Sequence, residues 1–479
     1  MSDLEIPCPD GLAYYPFQLE AIRYCVRKSR ALIADDPGLG KTIEALGLIN
    51  ACPEIEKILV ITPANLVLHW KEEAERWLIA PFWIEALTGR GLPSGMADFV
   101  IVNYEKLIGK PGVGLRNLLM HRKWDLLIAD EAHYLKTPTS QRAKAVLGTH
   151  ILPKSKRTRI VVGDKVVDPP EDGLCQRAGR ILFMTGTPIM NDPVEIHPLV
   201  SILDPDEFGG FGFLLKYAGA YQVEIPMRGG AKTVWKFDRP RHLPELAKNL
   251  RRSCMIRRLK EEVLPDLPVK THQVITIPQA GLAKAVAHER KVFESLELSA
   301  EELVGKTPES FEELSTARLE LAKKKTPLIL DHIKGLVEGG VEKLIVFVHH
   351  RAVFEGLKAG MAQAGVKTAT IAGGDTAQWV TMELDRFRAD RDTKVMLCSM
   401  HAAAHGHNMT AAHHVLFGEL DWNPAILQQC ADRAHRIGQR HNVTIQYLVV
   451  EDSIEAQMVH HLIRKQEIVR KALDVPTGA

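Results

Sequence analysis

The sequence predicts an α/β protein of two lobes, each built on a parallel sheet, with a helical insertion between them. Three observations predict it. Short β-branched apolar runs alternate with helix-length stretches across the first two hundred residues. The same alternation returns from about residue 343. Between roughly 205 and 325 it stops, and the chain reads as helices with polar faces, such as PELAKNLRRSCMIRRLKEEVL. The expected division is therefore 1–204, 205–325 and 326–479, with a last helix near 452–472.

Each strand is justified by the same pattern. RALIADD (30–36) is a short apolar run that leads into the helical KTIEALGLINA. KILVITP (57–63) leads into a stretch ending HWKEEAERWL, and DFVIVNYE (98–105), WDLLIADEAH (124–133) and RILFMTGTP (180–188) follow. Continuous rather than alternating apolar residues mark strands covered on both faces, as in parallel sheets. The second lobe repeats this with KLIVFVHH (343–350), TKVMLCSM (393–400), HHVLFGEL (413–420) and NVTIQYLVV (442–450). The run KKK at 323–325 reads as a solvated helix end.

Composition narrows the class. Of 479 residues 46% are hydrophobic and 25% charged, an ordinary globular balance. Lys and Arg number 61 against 59 Asp and Glu, a net charge of +2, so any polyanion must be met by a local basic surface. Cys8, Cys25, Cys52, Cys175, Cys254, Cys398 and Cys430 are widely spaced with no C-x-x-C pair, which argues against a disulfide framework or zinc ribbon. MSDLEIPCPDG lacks the build of a secretory signal, and no apolar run approaches the roughly 18 residues of a membrane span. A cytoplasmic monomer without membrane contact is expected, nucleoid-associated in a bacterium or in the host cytoplasm for a virus.

The chemistry begins at DDPGLGKT (35–42), set between an apolar strand and a helix. Gly38 and Gly40 allow a tight turn that presents backbone N–H groups to phosphate. Lys41 would reach the β- and γ-phosphates, Thr42 would ligate Mg²⁺, and the helix N-terminus adds its positive dipole end. Asp35 stands where a strict phosphate loop has its first Gly. In LLIADEAH an apolar strand delivers Asp130 to hold Mg²⁺ and Glu131 to orient and deprotonate water. A lone Asp-Glu pair would be a solvated turn; beside GKT the two motifs point to nucleoside triphosphate hydrolysis.

ADRAHRIGQR (431–440) supplies the missing charge. Arg433 and Arg436 are three apart, hence roughly on one helix face, and belong to the second lobe. An arginine finger stabilises phosphoryl transfer by about 10³–10⁵ in rate. Were the lobes to face each other, these arginines would meet ATP only on closure.

DDPGLGKT, DEAH, TGTP and DRAHRIGQ, in this order, resemble the motif set of the Swi/Snf-related ATPases of the superfamily-two helicase fold, from PFQ (16–18) to DSIEAQM (452–458). FGELDWNPAILQQCADRAHRIGQ further resembles the annealing-helicase (HARP-type) subgroup. The resemblance implies two RecA-like lobes, with ATP and Mg²⁺ as cofactors. It makes Gln18 the adenine reader, with Asp36, Gly38, Leu39, Gly40, Lys41, Thr42 and Gln429 at the nucleotide. Thr185, Gly186, Thr187 and Gly406 would couple the lobes, and His133 would link that segment to ATP. Asp36 and Pro37 replace the Glu-Met usual in the family, and His407 and Met409 replace apolar residues beside Gly406 and Asn408. Bromodomain- or chromodomain-sized additions, HARP repeats and a nuclease domain are not expected within these 479 residues.

By the same resemblance, DNA would meet Thr62, Asn103, Tyr104, Arg258, His350, Ser399, Trp422 and Asn423. Trp422 is equally a packing residue, and Arg257 and Arg258 could instead anchor the middle segment. PKSKRTR (153–159), in a longer than usual stretch between DEAH and TGTP, is either an added phosphate-contacting loop or a solvated insertion. His401, His405, His407, His413 and His414 raise a metal site through the spacing of His401 and His405, set aside because no Cys completes it. The expected function is DNA-dependent ATP hydrolysis coupled to translocation on double-stranded or forked DNA, remodelling or reannealing it or displacing bound protein. The alternatives are a strand-separating helicase and a non-catalytic, ATP-switched DNA-binding regulator.

Overall fold

The computed structural model describes residues 5–88, 91, 93–108, 114–149, 160–162, 165–167, 173–189, 193–227, 230–236, 241–295, 312–403 and 408–459. The PKSKRTR run, His405, Gly406, His407 and the chain beyond 459 lie outside the described residues. The chain divides into two compact units with the boundary at Val263/Leu264, so the 205–325 stretch contributes to both. Among the described residues no helix is long and apolar enough to cross a membrane, and all seven cysteines are free.

Unit one is built on β1 (Arg30–Ile33), β2 (Ile58–Thr62), β3 (Ile84–Ala86), β4 (Phe99–Asn103) and β5 (Trp124–Asp130). After a two-stranded hairpin, β6 (Ile160–Val162) and β7 (Lys165–Val167), comes β8 (Ala178–Met184). A second hairpin, β9 (Tyr221–Met227) and β10 (Gly230–Lys236), precedes β11 (Met255–Ile256). The sheet runs β11-β1-β8-β5-β2-β4-β3 with every pairing parallel. β2 and β4 are buried at every position, as their continuous apolar runs require. Helices α1 (Pro16–Arg27), α2 (Lys41–Ala51) and α3 (Val67–Trp77) pack against one another and seal one side of this core. α1 starts at a proline, whose fixed φ suits the first turn.

Unit two carries β12 (Lys270–Ile277), β13 (Leu344–Val348), β14 (Thr368–Ile371), β15 (Val395–Ser399), β16 (His414–Phe417) and β17 (Val443–Val450). Its order is β12-β17-β16-β13-β15-β14, again all parallel. The middle stretch is therefore not purely helical: it supplies β11 to one sheet and β12 to the other. THQVITI is a β-rich run whose polar residues fall on an edge strand, which hid it behind its helical neighbours.

The KKK run is also corrected. Helix Glu312–Glu338 continues through Pro327, so Lys325 lies mid-helix and is 1% exposed. Its ammonium is paired to Glu455 at 2.7 Å and donates to the Leu448 carbonyl, the partners a buried charge needs.

Candidate nucleotide and DNA site

The order β1-β8-β5 brings three C-terminal strand ends side by side, the position where open parallel sheets bind ligands. From β1 comes the phosphate loop, from β5 the Asp130–Glu131 pair, and from β8 the TGTP segment.

The loop is a left-handed turn. Gly38 and Gly40 have φ of 92° and 90°. A Cβ on Gly40 would stand 2.5 Å from the Gln18 side-chain nitrogen, so the Gln18 carboxamide would have to move to admit one. Lys41 Nζ donates to the carbonyls of Asp35 and Asp36, at 2.7 and 3.3 Å, and so lies inside the curve of the loop. Thr42 is the second residue of α2, half-buried. Beneath the loop Asp35 and Glu44, both fully buried, share the guanidinium of Arg258. Burial, with Asp35 alongside, pushes the Glu44 carboxyl well above the usual range despite that arginine.

Gln18, expected at adenine, is 1% exposed, and its carboxamide is spent on the protein. Nε2 donates to the Leu39 carbonyl at 3.0 Å and Oε1 accepts from Tyr15 N at 3.0 Å, tying the loop to the start of α1. Asp36 likewise holds the chain after β11: it accepts from Lys260 N at 3.1 Å and faces Arg257 at 3.6 Å.

Asp130 accepts from Trp70 Nε1 at 2.9 Å and Thr62 Oγ1 at 3.1 Å. Burial, then the charge of Glu131, pushes its carboxyl up to about 6, and the Trp70 bond and Lys41 pull the other way. Two adjacent carboxylates at the end of β5 offer oxygen donors suited to a hard cation. Glu131 sits in the left-handed region at φ 48° and ψ 50°. That strain, about 1–3 kcal/mol, turns its side chain toward His133 Nδ1, 3.2 Å away. The same nitrogen lies 3.1 Å from Thr185 Oγ1, which also accepts from Thr187 N. Gly186 packs directly on Pro37 of the phosphate loop: a Cβ there would meet its ring carbon at 2.6 Å. His133, Thr185, Gly186 and Thr187 thus form one continuous contact between the acidic pair and the loop.

Unit two places the arginines differently from expectation. Helix Pro424–Ala431 ends before them, so Arg433 and Arg436 occupy the turns that follow rather than one helix face. Arg433 is 2% exposed and its Nε donates to the Gln429 carbonyl; Arg436, half-buried, donates to the Asp432 carbonyl. Both bonds serve the open carbonyls at the helix end, a known role of C-terminal cations. Gln429 itself is buried at 3% exposure. Gln439, which the sequence did not single out, organises the turn. Its Nε2 donates to the Thr410, Ala412 and Ala434 carbonyls, and its Oε1 accepts from Arg440 N and His441 N. Gly438 at φ 96° permits the reversal.

The structure gives most of the residues expected at DNA partners within the chain. Thr62 and Tyr104 are fully buried, the first bonded to Asp130 and the second donating to the Asp130 carbonyl at 2.7 Å. Asn103 caps the short turn after β4 by accepting from Lys106 N. Arg258 is 7% exposed and its guanidinium is bonded to buried Asp35 and Glu44, which makes it an internal anchor. Trp422 is 5% exposed beneath Arg318, 4.0 Å from its ring. Asn423 caps the helix at 424 by accepting from Ala425 N. His350 and Ser399 remain partly exposed, His350 held by Glu419 at 2.5 Å. Trp70 also escaped the sequence, because nothing local marks one helix tryptophan as an aspartate's partner.

The family model SNF2-related domain matches residues 17–160 and 176–323, and the helicase conserved C-terminal domain matches 325–438. The chain is 29% identical over 471 residues to the DNA annealing helicase and endonuclease ZRANB3 of Mus musculus, covering 96% of this chain and 40% of that protein. It is 29% identical over 470 residues to the SWI/SNF-related matrix-associated actin-dependent regulator of chromatin subfamily A-like protein 1 of Xenopus tropicalis, covering 96% and 45%. The chain therefore spans less than half the length of these relatives. Among solved structures, the Sulfolobus solfataricus SWI2/SNF2 ATPase core in complex with dsDNA aligns with a TM-score of 0.42 at 17% identity, over 99% of this chain and 100% of that one.

Proposed function

This chain belongs to the SNF2-related family, and from that premise we propose that it is a DNA-dependent ATPase coupling hydrolysis to translocation on double-stranded DNA. Forked or branched DNA, remodelled or reannealed, is the proposed substrate, in line with the annealing-helicase name of one relative. The observation that carries the proposal is the junction in unit one, where phosphate loop, acidic pair and TGTP segment meet through His133 and Gly186.

The residues present fit Mg·ATP. Thr42 and Asp130 would hold Mg²⁺, which when bound neutralises charge on the transferring phosphoryl group. The loop between Gly38 and Lys41 offers backbone N–H groups to the phosphates, and Lys41 exchanges its carbonyl partners for phosphate oxygen. Glu131 orients the attacking water and takes its proton. His133, within 3.2 Å of both Glu131 and Thr185, passes a change at the carboxylate to the TGTP segment. Arg436, the less buried arginine, is assigned the finger role, and Arg433 positions its turn. Gln18 acts by holding the loop. DNA is gripped through phosphates, without base readout.

The test is the ATPase rate with single-stranded, duplex, forked and branched DNA side by side. Duplex-containing DNA should stimulate it, and Lys41→Ala, Glu131→Gln and Arg436→Ala should each abolish the stimulated rate. Near wild-type turnover in Glu131→Gln overturns the assignment. Third-strand displacement without unwinding of a blunt-flanked duplex marks translocation; unwinding marks a strand separator, and ATP-dependent DNA binding without turnover marks a regulator.

A further inference from the structure

Unit two gathers a second set of ligating side chains that the proposed reaction does not use. β13 lies between β16 and β15 in the sheet, so the residues that follow these strands are neighbours. His349 follows β13, His401 follows β15 in the helix Met400–Ala403, and Asp421 lies beyond β16. One donor atom from each lies within 4.8 Å of the others. His349 Nδ1 and His401 Nε2 each stand 3.2 Å from the same oxygen, Asp421 Oδ2. The sequence pattern had paired His401 with His405; the sheet order pairs it with His349 and Asp421 instead.

Two features separate this cluster from an ordinary ion pair. The His349 nitrogen is sealed from solvent and stands against a carboxylate oxygen that a second imidazole shares. The spacing also suits metal ligands: donors about 2.0–2.2 Å from a tetrahedral ion stand roughly 3.4 Å apart. The supporting shell is fixed. Asp421 Oδ1 accepts from Asn423 N at 2.8 Å, and Glu419 accepts from the backbone N–H groups of His349 and His350.

We propose that His349, His401 and Asp421 bind a borderline divalent transition-metal ion, Zn²⁺ being the natural occupant, which cross-links three strand ends of unit two. Two imidazoles and one carboxylate select Zn²⁺ or Co²⁺ over Mg²⁺, whose preference is for oxygen and water. The ion is therefore distinct from the Mg²⁺ of the nucleotide site, and its fourth position is open to water.

Tag-free, chelator-stripped full chain is titrated with Co²⁺ alone, read by visible absorption, and then with Zn²⁺, read by thermal unfolding. The expected result is one Co²⁺ per chain with tetrahedral absorption bands, displaced by Zn²⁺ and untouched by millimolar Mg²⁺, and a raised melting temperature with Zn²⁺. His401→Ala, which alters a largely exposed side chain, should weaken binding at least tenfold and erase the Zn²⁺-dependent shift; Asp421→Asn should do the same. Absence of stoichiometric Co²⁺ binding overturns the proposal. Equal binding by wild type and His401→Ala also overturns it, since the ion would then sit elsewhere. Neither readout depends on ATP hydrolysis, so the nucleotide assignment stands or falls separately.

Discussion

Replacing Gly186 with alanine would place a Cβ 2.6 Å from Cγ, 2.9 Å from Cδ and 3.2 Å from N of Pro37. Carbon atoms in good contact stand about 3.5–4.0 Å apart, so the intrusion is close to 1 Å. A pyrrolidine ring cannot swing aside as a flexible side chain would. Overpacking of this kind costs about 1–3 kcal/mol. The TGTP side is the firmer one: Thr185 is fully buried, donates its N–H to the Ile33 carbonyl at 3.1 Å, and meets His133. The strain should therefore fall on the phosphate loop, and Mg·ATP affinity should drop about 5- to 150-fold. Titration with a fluorescent nucleotide reads this, with the melting temperature recorded in parallel. Pro37→Ala removes both ring carbons, so the double variant should recover most of the lost affinity. Wild-type affinity in Gly186→Ala, or no recovery in the double variant, would refute the contact as a conduit between TGTP and the loop.

Arg258→Ala would strand Asp35 and Glu44 without their shared cation and should cost about 3–5 kcal/mol in the unfolding free energy of unit one. The salt dependence of DNA binding should keep its slope, whereas a phosphate-contacting arginine would lower it by about one. Glu289, fully buried with its carboxylate accepting from Ile454 N, has a carboxyl pushed up to about 7, chiefly by burial. Its folded value lies above its unfolded one, so its contribution is complete below about pH 4.5 and is lost as pH rises through about 7, a span of about 3 kcal/mol. Urea midpoints from pH 4.5 to 8 should show that slope in the wild type and a flatter one in Glu289→Gln; parallel curves would remove the assignment.

The legible parts of this protein were those in which chemistry and local structure share one short segment. GKT after an apolar strand can hardly fold otherwise, and WDLLIADEAH needs only to be a strand for Asp130 and Glu131 to arrive at its end. What was not legible depends on partners distant in sequence. Thr62 and Asn103 are the last residues of their strands and Tyr104 opens the turn after β4, but the direction of each side chain is set by Asp130 and Lys106. The spacing of Arg433 and Arg436 suggested a helix that in fact stops at Ala431, because the bonds of Gln439 fold the next residues into a turn. Lys325 looked solvated beside two other lysines until Glu455, from near the far end of the chain, supplied its partner.

The pairing of β12 with β17 joins segments whose facing residues are 173 apart in the chain. During synthesis unit one can close its sheet as soon as β11 emerges, but unit two cannot. β12 leaves the ribosome early and waits as a bare edge, its N–H and C=O groups unmatched, until nearly everything else has been made. Such an edge is open to wrong partners, including the same strand of another nascent chain. The polar residues of THQVITI, Thr271, His272, Gln273 and Thr276, are exposed even in the finished sheet; they keep that waiting strand soluble, and substitutions there to apolar residues should lower the yield of folded protein before they alter its final stability.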